Sequence, residues 1–260
     1  MDAGNVSRAT DGLVLGEQIA IEMGGDPEDV QLFPLQDPPR PEPAQLHNYA
    51  YGGAQSGREP MLEDEVSTFH IWFKQQVRAV RRQADFYQSL SDVDLLISAG
   101  ANDVLDQLEY SAAFMAVLDT EDRRDDRRLM RRNPIEIACN LRRGVDRLTG
   151  LVHEVVVIGS FPLSSTPEIQ SMADGLDSGA FDRLIEIVDG IGAKVQRKLK
   201  RHFVSDGSVV VLNLKAAWDR LEAPSFVDPV HPSSETSRQL AELIVPNLID
   251  QLNSFGFAER

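Results

Sequence analysis

A chain of 260 residues with 26 Lys plus Arg against 41 Asp plus Glu carries a formal net charge of −15. At a pI near 4.7, contact with nucleic acid or an anionic membrane surface is repulsive and releases no counterions, so nucleic acid is not expected as a partner. One cysteine, Cys139, excludes an internal disulfide framework and a multi-cysteine zinc site, and the longest apolar run, Ala112 to Leu118, is far short of the roughly 20 residues of a transmembrane helix.

The length suits one α/β domain over residues 1–260, and there is no internal repeat at a solenoid period. Met1 to Asn5 has neither a basic nor an apolar signal region, so the chain as written reads as cytoplasmic. Leu13, Val14, Ile19, Ala20 and Met23 recur at helical spacing, and Gly24-Gly25 closes that helix. Six prolines between Pro27 and Pro43 read as an extended surface loop, followed directly by a strand-like stretch, Leu46 to Tyr51. Val66, Phe69, Phe73, Val77 and Val80 give Leu62 to Tyr87 a helical period, and Val93 to Ser98, ending at Gly100, suits a buried strand. Glu121 to Arg132, the most charged segment, reads as a solvated helix or loop rather than a lid.

The alternation continues to the end of the chain. Ile135 to Leu151 reads as a helix, His153 to Ser160 as a strand, Phe181 to His202 as a long amphipathic helix, and Ser208 to Leu214 as the last strand. Ser234 to Phe255 reads as a closing helix with a kink at Pro246. Apolar strands separated by helices imply a parallel sheet covered on both faces. Ligands of such sheets bind beyond the carboxyl ends of the strands.

Three segments near those ends carry chemistry: Asn48 to Ala54 with Gly52-Gly53, Gly100-Ala101-Asn102-Asp103, and Asp228-Pro229-Val230-His231-Pro232. Asp228 and His231, three apart on a loop stiffened by two prolines, can meet so that the carboxylate accepts the Nδ1 proton and leaves Nε2 as a general base. A glycine lets a carbonyl oxygen approach its N–H closely, and an asparagine side chain supplies a second donor to a developing oxyanion. Gly53 and Asn102 fit those two roles. The plainer readings are a turn at Gly52-Gly53, a helix cap at Asn102-Asp103 for a helix beginning near Val104, and a surface-loop histidine at 231.

In this order and spacing the three segments resemble blocks II, III and V of the SGNH/GDSL esterases and lipases, and the resemblance covers nearly the whole chain. Ser160 to Pro167 is similar to a loop that many members carry after the third strand. The resemblance implies a flavodoxin-like three-layer α/β/α fold and hydrolysis of a small ester or lipid without a cofactor. His231 would be the base, Asp228 its orienter, and Gly53 and Asn102 oxyanion donors. The family's first block, Gly-Asp-Ser-Leu-x-Asp-x-Gly-Asn, is matched only at its tail, by Met1-Asp2-Ala3-Gly4-Asn5 with Asp2, Gly4 and Asn5 in register. The nucleophilic serine is therefore expected just upstream of Met1. The central first strand is expected to be lacking or disturbed, and a signal peptide lost with it would make the protein secreted. A binding module without catalysis and a carbohydrate acyltransferase are the alternatives.

No metal site is expected, and His47, His70, His153 and His202 read as structural because no carboxylate stands at ligand spacing. Cys139 reads as a small buried hydrophobe, and Phe69, Trp72 and Phe73 as core. As substitute nucleophiles, Ser160 and Ser56 both lack the Gly-x-Ser-x-Gly elbow.

Overall fold

A computed structural model describes residues 14–25, 30–32, 46–48, 73–87, 90–98, 100–101, 103–105, 124–159 and 163–254. In chain order the elements are α1 (Leu15–Glu22), β1 (Val30–Leu32), β2 (Leu46–Asn48), α2 (Phe73–Tyr87), β3 (Leu90–Ser98), α3 (Arg124–Val145) and β4 (Val152–Ile158). There follow α4 (Pro167–Ser171), α5 (Ser178–Phe203), β5 (Val209–Leu212), α6 (Leu214–Trp218) and α7 (Ser234–Ser254). The strands form two parallel sheets, a pair β1-β2 and a triplet in the order β3-β4-β5. The fold is thus α/β with parallel strands, as the alternation of periods implies.

β4 shows why the triplet is parallel. Val155, Val156, Val157 and Ile158 are all buried, which requires apolar cover on both faces. Alternate residues of β4 join different clusters. Val155 and Val157 pack with Ile137 and Leu141 of α3 and with Leu184, Ile187, Ile191 and Val195 of α5. Val156 and Ile158 pack with Ile19 of α1, Trp218 of α6, and Leu240, Ile244 and Leu248 of α7. This is the period-two alternation of a strand converted into two packed faces.

The helices obey the complementary period. In α5 the buried Leu184, Ile187, Val188, Ile191, Val195, Leu199 and Phe203 form one stripe at three- and four-residue spacing. Asp177 caps its first turn by accepting the Ala180 N–H at 2.7 Å. Lys200, Arg201 and His202 sit in its last turn, where the helix dipole favours cations. α1 ends as read, with Gly24 at φ +104° and its N–H donated to the Ile21 carbonyl.

The structure differs from the sequence reading at several boundaries. A strand, β1, lies inside the proline-rich stretch read as loop, because Val30–Leu32 pairs in register with Leu46–Asn48. β3 begins at Leu90, since partner strand β4 supplies rungs that hydropathy alone does not reveal. α3 begins within the charged segment and runs through Pro134, where a sequence reader stops, and it ends at Val145 before a run of turns. The helix after Gly100 starts at residue 101, so Asp103 lies inside its first turn and not at a cap. Cys139 is half-buried on α3 and is not a core residue. The helical reading of residues 62–72, the strand reading of 49–51, and Phe69 and Trp72 lie outside the described residues.

Gly100, two residues past the end of β3 at Ser98, turns the chain from strand to helix at φ +107°. A Cβ there would stand 2.8 Å from Ile137 Cγ2. Gly24 has a similar φ but nothing within 4 Å of its would-be Cβ. Gly100→Ala therefore combines left-handed strain of about 1–3 kcal/mol with overpacking against α3, whereas Gly24→Ala carries strain alone. Urea unfolding is expected to show the larger loss for Gly100→Ala; equal losses would remove the steric part of the argument.

Candidate active site

The carboxyl ends of β3, β4 and β5 all point the same way, so the segments that follow them share one end of the sheet. After β4, Leu163–Ser165 makes a single 3-10 turn, and Thr166 caps α4 while donating its hydroxyl to the Leu163 carbonyl at 2.7 Å. The first turn of α4 then reaches the loop that carries the candidate base: Glu168 N–H donates to the Pro229 carbonyl at 2.8 Å. After β5 the chain passes through α6 and enters that same loop, residues 225–233, before α7.

The loop is held from below by hydroxyl groups. The Ser233 N–H donates to the Ser225 carbonyl at 2.9 Å, the Val227 N–H donates to the His231 carbonyl at 3.0 Å, and an isolated bridge joins Phe226 to Pro232. Buried Thr236, in the first turn of α7, donates its hydroxyl to the Ser225 carbonyl at 3.0 Å and accepts the Ser225 N–H at 2.8 Å. Ser233 Oγ accepts the Thr236 N–H at 3.2 Å and so acts as the cap of α7. The loop is also tied to α1, because Gln18 Nε2 donates to Ser234 Oγ at 3.3 Å.

On this platform Asp228 and His231 meet as the sequence spacing implies. His231 Nδ1 lies 2.7 Å from Asp228 Oδ2, while Asp228 Oδ1 accepts the backbone N–H groups of Val230 at 2.8 Å and His231 at 2.7 Å. One carboxylate thereby fixes both the turn and the ring. Partial burial pushes its pKa up, but the two backbone N–H bonds and the imidazole outweigh that, and the carboxyl sits below its ordinary 3.8. The two side chains are 40% and 41% exposed, open enough for a substrate to reach the ring.

The other expected members cannot be placed beside this pair. Gly53, Asn102, the first-block residues Asp2, Gly4 and Asn5, and Ser56 and Ser160 lie outside the described residues, as does His70. Of the second and third blocks, the described part is Asn48 at the end of β2, with Gly100, Ala101 and Asp103 just past β3.

Two histidines read as structural have carboxylate partners after all. His202 Nε2 lies 3.6 Å from Asp146 Oδ1, joining the end of α5 to the turn after α3. His153 Nδ1 lies 2.9 Å from Asp94 Oδ1, and buried Glu154 is beside them. Burial, then the charge of Asp94, push the Glu154 carboxyl up to about 7 against the opposing pull of His153. Sequence reasoning missed this cluster because Asp94 and His153 are 59 residues apart and only the β3-β4 register joins them. The visible signal was a His-Glu pair opening an otherwise apolar strand.

The chain matches no protein-family model and no curated protein.

Because the Asp228 carboxyl is held below its ordinary pKa, its stabilising bonds are fully present above about pH 4 and are lost as pH falls through the depressed value. Asp228→Ala is expected to lower stability by about 1 kcal/mol near neutrality through lost hydrogen bonds to an exposed acceptor. Unfolding of both forms across an acid series should show the gap closing below pH 4. A gap that stays constant into strong acid would show that the charge of Asp228 contributes nothing.

Proposed function

We propose that this protein is an ester hydrolase of the SGNH/GDSL kind, with a flavodoxin-like three-layer arrangement and a Ser-His-Asp triad. The observation that carries the reading is the Asp228–His231 pair: a carboxylate pinned by two backbone N–H groups, accepting from Nδ1 at 2.7 Å on a partly open loop. A carboxylate in that position selects the tautomer with the proton on Nδ1, which makes Nε2 the proton acceptor. Topology supports the same reading. Among the described residues, β2 pairs with β1 and β3 pairs with β4, and the resemblance calls for one central strand between those two sets. α1 packs near β3, with a Cβ at Gly16 falling 3.3 Å from Leu96 Cδ2.

In the proposed reaction the serine precedes the Asp2-Ala3-Gly4-Asn5 remnant. His231 Nε2 takes the serine proton as Oγ attacks the ester carbonyl, and Asp228 stabilises the imidazolium that forms. The Gly53 N–H and the Asn102 side chain donate to the oxyanion. Collapse expels the alcohol, which receives the proton from His231. Water, deprotonated by the same imidazole, then cleaves the acyl-enzyme and restores the serine. No step requires a cofactor, and the acceptor in the second half is water in preference to a sugar hydroxyl.

The test is a chain extended upstream to include the expected Gly-Asp-Ser-Leu segment, assayed with a short-chain aryl ester. Turnover is expected in the extended form, falling about 10⁴-fold in His231→Ala and about 10²- to 10³-fold in Asn102→Ala. An upstream sequence without that serine, or an unaltered rate in His231→Ala, would overturn the proposal. Retained acylation with product appearing only on an added carbohydrate would reassign it as an acyltransferase.

A further inference from the structure

We propose that Asp94, His153 and Glu154 form a binding site for a divalent transition-type cation, of which Zn²⁺ is the representative. The site rests on a local irregularity of the sheet. In the ladder Leu90 is opposite Val152 and Asp94 is opposite Glu154, so four steps along β3 answer two along β4. In a regular ladder His153 and Glu154, being consecutive, would face opposite sides of the sheet, and Asp94 would meet only the second. The extra residues of β3 between Leu90 and Asp94 fall opposite His153, the kind of place where a bulge re-aims a neighbouring side chain. The result is one imidazole nitrogen and two carboxylate oxygens within 4.8 Å of one another, from residues on two strands.

The second observation is independent of that geometry. Glu154 is only 2% exposed, and its Oε1 has no hydrogen-bond partner among the described residues. Buried carboxylate oxygens are ordinarily satisfied, and one left over calls for a ligand. A divalent cation supplies it, because its charge offsets the two carboxylates and it draws Oε1, Asp94 and the ring together. A mixed set of one nitrogen and two oxygens favours zinc and its neighbours over magnesium and calcium, which prefer oxygen alone. Asp94 and His153 are partly exposed, at 50% and 37%, which gives the ion a route in and leaves water as the remaining ligand. The cluster lies at the middle of β3 and the amino end of β4, away from the end that carries Gly100 and the loop after β4. Its role is accordingly to clamp two strands, not to act on the ester.

The test uses the full chain, freed of metal by chelation and titrated with ZnCl₂ by calorimetry, with Co²⁺ as a spectroscopic substitute. One zinc per chain is expected, together with a rise in the melting temperature and a visible cobalt absorption. Asp94→Asn, at an exposed position that leaves the fold intact, and the near-isosteric Glu154→Gln should each weaken zinc binding at least about tenfold. His231→Ala should leave it unchanged. Absence of zinc binding in the parent chain, equal affinity in Asp94→Asn, or loss of binding in His231→Ala would each overturn the site.

Discussion

The constraint on which the described structure depends is the double-sided burial of β4. A strand whose successive residues Val155 to Ile158 are nearly inaccessible cannot lie at a solvated face. It must be flanked by strands on both edges and by helices on both sides. β3 and β5 supply the edges, and α3 with α5 and α7 with α1 supply the sides. Each fully buried side chain of this kind contributes about 1.5–3 kcal/mol, so the strand outweighs any surface ion pair in deciding the arrangement. Parallel strands then place every β-to-α connection after a carboxyl end at one pole of the sheet. The polar chemistry of the loops is gathered there by the demands of an apolar strand.

Local order within residues 225–233 comes from a different source. Phe226 packs on Trp218, while Thr236 satisfies the Ser225 backbone, Ser233 caps α7, two prolines limit the loop's unfolded freedom, and Asp228 accepts three hydrogen bonds. Conformational entropy resists holding an exposed imidazole in one orientation. Here the same carboxylate that closes the turn also receives Nδ1, so ordering the loop orders the ring. The cap of α7 at Ser233 couples that ordering to a helix whose Leu240, Ile244 and Leu248 lie in the core.

Much of this architecture was legible in the residues. The apolar quartet of β4, the stripe of α5, and the Gly24 stop of α1 follow from periodicity and backbone preference, and the Asp228–His231 contact follows from a three-residue spacing between prolines. What was illegible is what depends on partners distant in sequence. β1 exists because a complementary strand runs beside it, and Val30–Leu32 alone lacks a strand's signature amid prolines. α3 runs through Pro134, although that ring removes a backbone donor and crowds the preceding turn; helix packing outweighs local preference at that point. The carboxylates around His153 and His202 are brought there by strand register and helix docking, neither of which has a linear signal.

The two ends of the sheet therefore solve the problem of a histidine beside a carboxylate in opposite ways. At the loop end, Asp228 has its short contacts filled by its own turn, so it orients His231 without needing anything from outside. At the amino end of β4, Glu154 is buried by the sheet itself, and its Oε1 has no hydrogen-bond partner among the described residues. A self-satisfied pair suits proton transfer, because the base must return unchanged after each cycle. An unsatisfied buried carboxylate suits a permanent ligand, because the cost of desolvation is offset only while the partner stays. The division follows from where each group sits relative to β4: a loop can bend to complete its own hydrogen bonds, and a strand locked on both edges cannot.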